Sequence, residues 1–267
     1  MQLNEWLTSA SARLGAAGVT AHKLEAQVLA GHVMLVDRTW VLTHSDHEVN
    51  ELALEGVLQR RESGEPLAYI LGYREFYSRR FRVDSNVLIP RQETECLVEA
   101  ALALPSDNMR VLDIGTGSGC IAITLKLERP TWEVWATDIS SSALQVAREN
   151  AETLGADITF RHSDLLAQLE GEKFDLIVSN PPYIGRDEVI PKEVRDFEPD
   201  TALFAEEDGL ALYRALSEQV PKHLSFESWL ILEIGQTQAA AVCRLLPGSW
   251  ILKDLDGHDR VITWCNK

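Results

Sequence analysis

The sequence predicts an α/β fold: a mostly parallel sheet covered by helices, with an antiparallel edge hairpin at its end and a small helical bundle before it. Three observations predict it. After residue 108, short apolar runs alternate with helix-length stretches, as in a parallel sheet whose strands are buried on both faces. Residues 1 to about 65 instead carry apolar side chains at spacings of three and four, with no strand-like alternation among them. The last two apolar runs flank Asp256-Gly257, a hairpin signal.

Taken in order, Leu3, Trp6, Leu7 and Leu14, then Leu24, Val28, Leu29, His32 and Val33, lie at helical spacing and predict four or five short helices. Thr20 is placed to cap a helix over Ala21 to Leu35, and Asp46 or Asn50 to cap the next. From Gly64 the texture changes. Phe76, Tyr77, Phe81 and Val83 alternate with polar residues, as a short hairpin would. A helix follows over Glu93 to Leu104, ended by Pro105.

Strands are then expected at Met109 to Ile114, Trp132 to Asp138, Ile158 to His162, Phe174 to Ser179 and Trp229 to Ile234. The covering helices are Ser118 to Glu128, Ser141 to Leu154, Leu210 to His223 and Thr237 to Leu246. Trp250 to Leu255 and Arg260 to Cys265 form the closing hairpin. The expected division is a helical domain over residues 1–72, a hairpin linker over 73–90 and the α/β domain over 91–267.

Composition narrows the function. With 45% apolar and 25% charged residues, 10 Pro and 16 Gly, the chain reads as an ordinary globular protein. Its formal charge is −16, and residues 1–80 hold 8 basic against 10 acidic side chains, so the excess lies beyond them. Such a surface repels a phosphate backbone and attracts a basic protein partner, although solubility alone would account for it equally well. Cys96, Cys120, Cys243 and Cys265 are scattered, with no metal-ligand spacing, and read as buried thiols; no metal is expected. No window is long and apolar enough to span a bilayer, and no basic-then-apolar leader opens the chain. A cytoplasmic protein is expected, with no membrane attachment.

The segment Val111-Leu112-Asp113-Ile114-Gly115-Thr116-Gly117-Ser118-Gly119 places three alternate glycines between a strand and a helix. Glycine there permits a sharp turn and lets a ligand approach the backbone. Asp113, two residues before the first glycine, can meet an ammonium group, whereas a pyrophosphate would gain little from an anion there. The spacing is neither Gly-x-Gly-x-x-Gly nor a P-loop. Asp138 ends the next strand, where a carboxylate can accept from both ribose hydroxyls. Together these favour S-adenosyl-L-methionine over NAD. Asp138 could alternatively cap the helix at Ser141. Asp164 and Leu165 follow the third strand; Asp164 could accept from an adenine amine while Leu165 packs on the ring, or stand as an ordinary loop aspartate.

Ser179-Asn180-Pro181-Pro182-Tyr183-Ile184 follows the fourth strand. Two prolines fix the backbone and remove two N–H donors, so the Asn180 and Pro181 carbonyls can face a guest. The Asn180 side-chain oxygen adds an acceptor and Tyr183 a flat wall. An amide nitrogen is a poor nucleophile, its lone pair delocalised into the carbonyl. Holding both its hydrogens on acceptors orients it and stabilises the charge that grows as it attacks a sulfonium methyl.

With the glycine loop, Asp138 and Asn180 to Tyr183 in series, the chain resembles amino-methyltransferases carrying the Asn-Pro-Pro-Tyr motif. More narrowly it resembles the HemK/PrmC family of release factor glutamine N5-methyltransferases. The resemblance spans nearly the whole length: Pro66 to Gly72, Phe76-Tyr77, Leu88-Ile89-Pro90-Arg91 with Glu93-Thr94-Glu95, Phe197-Glu198-Pro199 and Asp259-Arg260. It implies a Rossmann-like class I methyltransferase fold and a helical N-terminal domain that docks a peptide-chain release factor. It implies a cofactor site at Gly115, Thr116, Gly117, Ser118, Gly119, Asp138, Leu165 and Asn180, and a substrate site at Asn180, Pro181, Pro182 and Tyr183, with Asn180, Pro181 and Tyr183 catalytic. Arg91 and Thr94 could close over the methionine end, or Thr94 could start a helix. Leu165 stands where some members carry an aromatic residue, and Gln92-Glu93 where Pro-Asp is more usual. The expected reaction is methylation of the glutamine in a Gly-Gly-Gln motif by a monomer, with no direct nucleic-acid contact. The competing expectations are an adenine-N6 nucleic-acid methyltransferase, whose amine would fit the same cradle, and a non-catalytic nucleotide-binding module.

Overall fold

The computed structural model describes residues 1–267, the side chain of residue 207 apart. Its first helix, α1 (Leu3–Ala16), buries Leu3, Trp6, Ala10 and Leu14, the stripe that three-and-four spacing places on one face. α2 (His22–Met34) starts from Ala21 with no side-chain cap, so the cap expected at Thr20 is not made. Asp37 caps α3 (Arg38–Thr43) by accepting from Trp40 N at 2.7 Å, and Asn50 caps α4 (Glu51–Glu62) by accepting from Leu52 N at 3.2 Å. A fifth helix, α5 (Leu67–Leu71), follows. Leu3, Trp6, Leu14, Leu29, Leu54 and Leu58 form the core of this unit, which comprises Met1–Tyr73 and Ile190–Phe197. Buried Arg61 ties the returning segment in, bonding Glu25 at 2.6 Å and Glu193 at 3.0 Å.

The second unit comprises Arg74–Val189 and Glu198–Lys267. A hairpin of β1 (Tyr73–Phe76) and β2 (Arg79–Arg82) turns through Tyr77 and Ser78, both at positive φ. Phe76 and Phe81 meet edge to face in the core at 6.1 Å. After a 3₁₀ turn at Gln92–Thr94 come α6 (Glu95–Leu102), β3 (Arg110–Ile114), α7 (Cys120–Glu128), β4 (Glu133–Asp138), α8 (Ser141–Leu154), β5 (Ile158–His162) and β6 (Phe174–Ser179). Short elements follow: β7 (Ile184–Gly185), α9 (Lys192–Phe197), α10 (Asp200–Leu203), β8 (Phe204–Ala205) and α11 (Glu206–Gly209). The chain closes with α12 (Ala211–Gln219), β9 (Leu224–Glu233), α13 (Ala239–Leu245), β10 (Trp250–Lys253) and β11 (Asp259–Asn266).

The main sheet runs β10-β11-β9-β6-β3-β4-β5. The β3, β4, β5, β6 and β9 pairings are parallel, and β11 lies antiparallel to both β9 and β10. Successive residues of β3 and β6 feed opposite cores: Val111, Leu176 and Val178 face one cluster, Leu112 and Ile177 the other. Both faces are therefore covered, as the continuous apolar runs predict. β9 starts at Leu224, ahead of the expected Trp229: its first half carries exposed Phe226 and Glu227 in succession and so lacks the apolar run that marks the second half. The chain runs from β3 outward through β4 and β5, then returns to β6 beside β3. The C-terminal ends of β3, β4 and β6 thus surround the point where strand order reverses, where open α/β sheets form a crevice. No helix is long and apolar enough to cross a membrane among the described residues.

Candidate active site

A cavity of about 490 Å³ opens at that crevice, lined by Gly115, Gly117, Asp138, Leu165, Asn180 and Pro181 among others. Stretches some 60 residues apart in sequence meet here because β3 and β6 are neighbours, with Ile114 paired to Ser179. The Ser179 hydroxyl donates to the Ile114 carbonyl at 2.7 Å, locking the two strand ends together.

The glycine loop hangs from β4. Gly115 N and Thr116 N both donate to the Thr137 carbonyl, at 2.8 and 2.9 Å. Gly117 N donates to Asp138 Oδ2 at 2.9 Å, and Ser140 N to Asp138 Oδ1 at 2.8 Å. The cap of α8 is Ser140, whose hydroxyl oxygen accepts from Ala143 N at 3.1 Å, so Asp138 does not cap that helix. Burial raises the Asp138 carboxyl pKa while the Ser140 and Gly117 N–H groups oppose the rise. Gly115 and Gly117 both adopt positive φ, and a Cβ on either would enter open space, leaving the backbone bare toward a guest.

The other three loop residues turn inward. Thr116 donates its hydroxyl to Asp113 Oδ2 at 2.6 Å, Ser118 is buried with its carbonyl accepting from Asn150 Nδ2 at 2.8 Å, and Gly119 packs against Ile123 and Ala147. They shape the loop from behind rather than line the cavity. Asp113 is fully buried; Oδ2 also accepts from Ala122 N at 3.3 Å, while Oδ1 has no partner among the described residues. Burial pushes its carboxyl up to about 7.

Leu165 lines the cavity from a left-handed backbone conformation, φ 49°, which a leucine adopts only under constraint from its surroundings. Asp164 lines it as well, with its N–H donated to Gln168 Oε1 at 2.9 Å.

Asn180, Pro181 and Pro182 line the opposite wall. Asn180 Nδ2 donates to the Thr94 hydroxyl at 3.2 Å, and no donor meets Asn180 Oδ1 among the described residues. Tyr183 does not line the cavity; its half-buried ring packs against the apolar cluster, and burial pushes its hydroxyl up to about 12. Gln238 holds the loop from behind, donating Nε2 to the Tyr183 carbonyl at 2.9 Å and accepting from Gly235 N at 3.0 Å. Nothing in the sequence singled out Gln238, because its partner is a backbone carbonyl 55 residues away.

Arg91 and Thr94 lie outside the lining. Arg91 instead bonds Glu198 Oε1 at 2.6 Å, and Glu198 Oε2 accepts from Ile89 N at 3.1 Å, so the Ile89 to Arg91 and Glu198 motifs are halves of one clamp closed on the buried Glu198 carboxylate. Thr94 precedes α6 without a capping hydrogen bond from its side chain. Val87, Leu88, Arg186, Phe204 and Ala205 also line the cavity; of these the sequence had marked only Leu88, as part of the Leu88 to Arg91 motif. All four cysteines were expected to be buried, but only Cys120 is; Cys96, Cys243 and Cys265 are half-buried at the edges of the packed helices and strands. The site therefore combines a bared glycine backbone, a carboxylate held on it, an apolar shelf and an amide oxygen free to accept. It can hold a nucleoside with a cationic tail and present a second amide or amine to it.

Residues 92–209 match the family model for the methyltransferase small domain, and residues 5–72 the model for the PrmC N-terminal domain. A protein named release factor glutamine methyltransferase from Koribacter versatilis is 42% identical over 98% of each chain. One of that name from Neisseria gonorrhoeae is 46% identical over 90% of this chain and 92% of its own. Among solved structures, a methyltransferase from Pyrococcus furiosus superposes with a TM-score of 0.56 at 15% identity, over 79% of this chain and 97% of the other, a likeness of fold. Identity at the level of the first two, sustained along nearly the whole of both chains, makes this chain a member of the release factor glutamine methyltransferase family.

Proposed function

We propose that the protein transfers the methyl group of S-adenosyl-L-methionine to the side-chain amide nitrogen of the glutamine in the Gly-Gly-Gln motif of peptide-chain release factors. The Koribacter and Neisseria relatives are named for methylating release factor glutamine. The observation that carries the reading is the Asn180 carboxamide, which lines the cavity with its nitrogen engaged by Thr94 and its oxygen left to accept.

The residues present fit the cofactor. Open space on the Cβ side of Gly115 and Gly117 leaves room for its chain, Asp138 retains acceptor capacity for ribose hydroxyls, and Leu165 offers an apolar shelf for adenine. When bound, S-adenosyl-L-methionine supplies an electrophilic sulfonium methyl. The protein's own part is positioning. Asn180 Oδ1 accepts one N–H of the substrate amide, and the rigid Asn180 to Pro182 backbone holds the nitrogen in line. The same oxygen stabilises the positive charge that develops on nitrogen during attack, and the surplus proton leaves afterwards. The helical unit, matched by the PrmC N-terminal model, serves to dock the release factor. A charge of −16 supports a protein substrate over a nucleic acid.

The test is methyl transfer from labelled cofactor to unmodified release factor, with mass spectrometry of the Gly-Gly-Gln peptide. A mass gain of one methyl on that glutamine is expected; label entering DNA or RNA as methyladenine instead would overturn the reading.

A further inference from the structure

The segment from Asn180 to Tyr183 is a strap that its own sequence leaves short of anchors. Pro181 and Pro182 have no N–H to donate, and their rings lock two consecutive φ angles, so the segment moves as one piece. Where its two ends are fixed therefore decides where Asn180 sits. The leading end is held at Ser179, whose hydroxyl donates to the Ile114 carbonyl at 2.7 Å. The trailing end is held at the Tyr183 carbonyl, which accepts from Gln238 Nε2 at 2.9 Å.

Gln238 uses both ends of its carboxamide. Nε2 also lies 3.5 Å from the Gly209 carbonyl oxygen, and Oε1 accepts from Gly235 N at 3.0 Å. The Gln238 main-chain N–H donates to the Gly235 carbonyl at 3.0 Å, and its own carbonyl accepts from Ala241 N and Val242 N as α13 begins. Ala239 and Val242 of that helix lie in the apolar core, so the carboxamide stands on a packed element. Two glycines make room for it. A Cβ on Gly209 would come within 2.6 Å of Gln238 Nε2, and one on Gly235 within 2.9 Å of Gln238 Oε1 and 3.3 Å of the Tyr183 ring. Gly235 does not take a positive φ, so space rather than backbone conformation opposes a side chain there.

We infer that Gln238 is a positioning residue for methyl transfer: by holding the Tyr183 carbonyl it fixes the trailing end of the strap, and with it the place of the Asn180 side-chain oxygen. The inference rests on the methyl-transfer reading. Gln238 is buried and does not line the cavity, so it touches neither cofactor nor substrate and acts only through the strap. The Thr94 bond sets the direction of the Asn180 side chain, and the Gln238 bond sets the main chain from which that side chain hangs. What the position demands is a donor and an acceptor on one planar group. A glutamate of the same shape would still accept from Gly235 N, but it would turn a charged oxygen onto the Tyr183 and Gly209 carbonyls.

Kinetics and resting-state spectra test this. Gln238→Met keeps the length and loses both polar ends. With release factor and cofactor saturating, it is expected to lower kcat about tenfold or more, the worth of one hydrogen bond and of the misplacement its loss permits, while cofactor Kd by calorimetry stays within about threefold of wild type. Gln238→Glu is expected to lose at least as much kcat; wild-type kcat in that variant would refute the need for a donor. In a protein already carrying Asn180→Ala, adding Gln238→Met is expected to lower kcat by no more than about twofold, because the oxygen it positions is gone. Wild-type kcat in Gln238→Met alone, or its full loss repeated in the Asn180→Ala protein, overturns the inference. In resting ¹⁵N-labelled protein, the Asn180 side-chain NH2 resonances are expected to shift in Gln238→Met, and resonances that stay in place overturn it as well. Those spectra need no turnover, so a wild-type protein that passed no methyl to release factor would refute the proposed function and leave the anchor to be judged by them.

Discussion

Asp138 Oδ2 accepts the main-chain N–H of Gly117 at 2.9 Å, so one carboxylate both faces the cavity and holds the glycine loop that forms its floor. Asp138→Ala removes the proposed ribose acceptor and also frees two N–H groups, those of Gly117 and Ser140. The cofactor dissociation constant is expected to rise by on the order of 1 to 3 kcal/mol, since hydrogen bonds to a charged acceptor are being unmade. Asp138→Asn, which keeps one acceptor oxygen, should lose less. Calorimetric titration with S-adenosyl-L-methionine checks both, and equal affinity in wild type and Asp138→Ala would place the nucleoside elsewhere.

Asn180→Ala is expected to separate binding from chemistry. The alanine retains the backbone at the end of β6 but removes the side-chain oxygen that meets no protein donor. Transfer should fall at least a hundredfold, the scale seen when a preorganised polar partner of a transition state is deleted. Cofactor affinity should weaken only modestly. Unchanged turnover would favour a nucleotide-binding module in which this side chain has no chemical part.

Much of this arrangement was readable in advance because it is local. The apolar runs of β3, β4 and β6 have the length and composition of doubly buried strands, and the glycine spacing and Asn-Pro-Pro-Tyr segment mark two bends at their ends. Asp138 was legible from its place after a strand. What stayed hidden depends on contacts far apart in sequence. Thr116, Ser118 and Gly119 look like ligand contacts when read as a loop, yet their side turns inward to Asp113, Asn150 and Ile123. Tyr183 reads as a wall of the cavity, but its ring lies beside Gly235 and packs against the apolar cluster instead. Arg91 reads as a ligand residue until Glu198, 107 positions later, is brought against it. Gln238 carries no motif strength at all, since its role comes from a backbone carbonyl partner that only the fold brings near.

Gly209 is predicted to tolerate no side chain. It lies at φ 81°, and a Cβ there would collide with the Tyr183 carbonyl oxygen and come within 2.6 Å of Gln238 Nε2, the pair that anchors the loop from behind. A left-handed backbone and the clash act together, so Gly209→Ala must either displace the Asn180 to Tyr183 loop or break the Gln238 bond. A cost of about 1 to 3 kcal/mol in chemical denaturation is expected, together with a fall in kcat larger than in the Asp138 variants at saturating cofactor. Alanine accommodated without loss of either would show that the loop is not held by this contact.

The buried carboxyl of Asp113 should leave a signature in the pH dependence of stability. Burial pushes it from 3.8 up to about 7, against the opposing bonds from Thr116 and Ala122 and with help from the nearby charge of Asp138. A carboxyl whose pKa is higher folded than unfolded binds its proton more tightly in the native state. Its contribution is therefore whole below the unfolded value and drains away as pH rises toward the folded one. Over that window, from about pH 4 to pH 7, the cost is on the order of a few kcal/mol. Asparagine at this position does not titrate, and it keeps an oxygen that can accept from Thr116 and Ala122. The melting temperature of Asp113→Asn minus that of wild type should accordingly climb by several degrees between pH 4 and pH 7 and then level off, whatever its value at the start. Carboxylates with lowered pKa values, such as Glu55 and Glu133, push the other way, but they are common to both proteins and cancel in the difference. A difference that stayed flat across the window would mean that Asp113 ionises at its ordinary pH, and that its unpartnered oxygen is reached by water in solution.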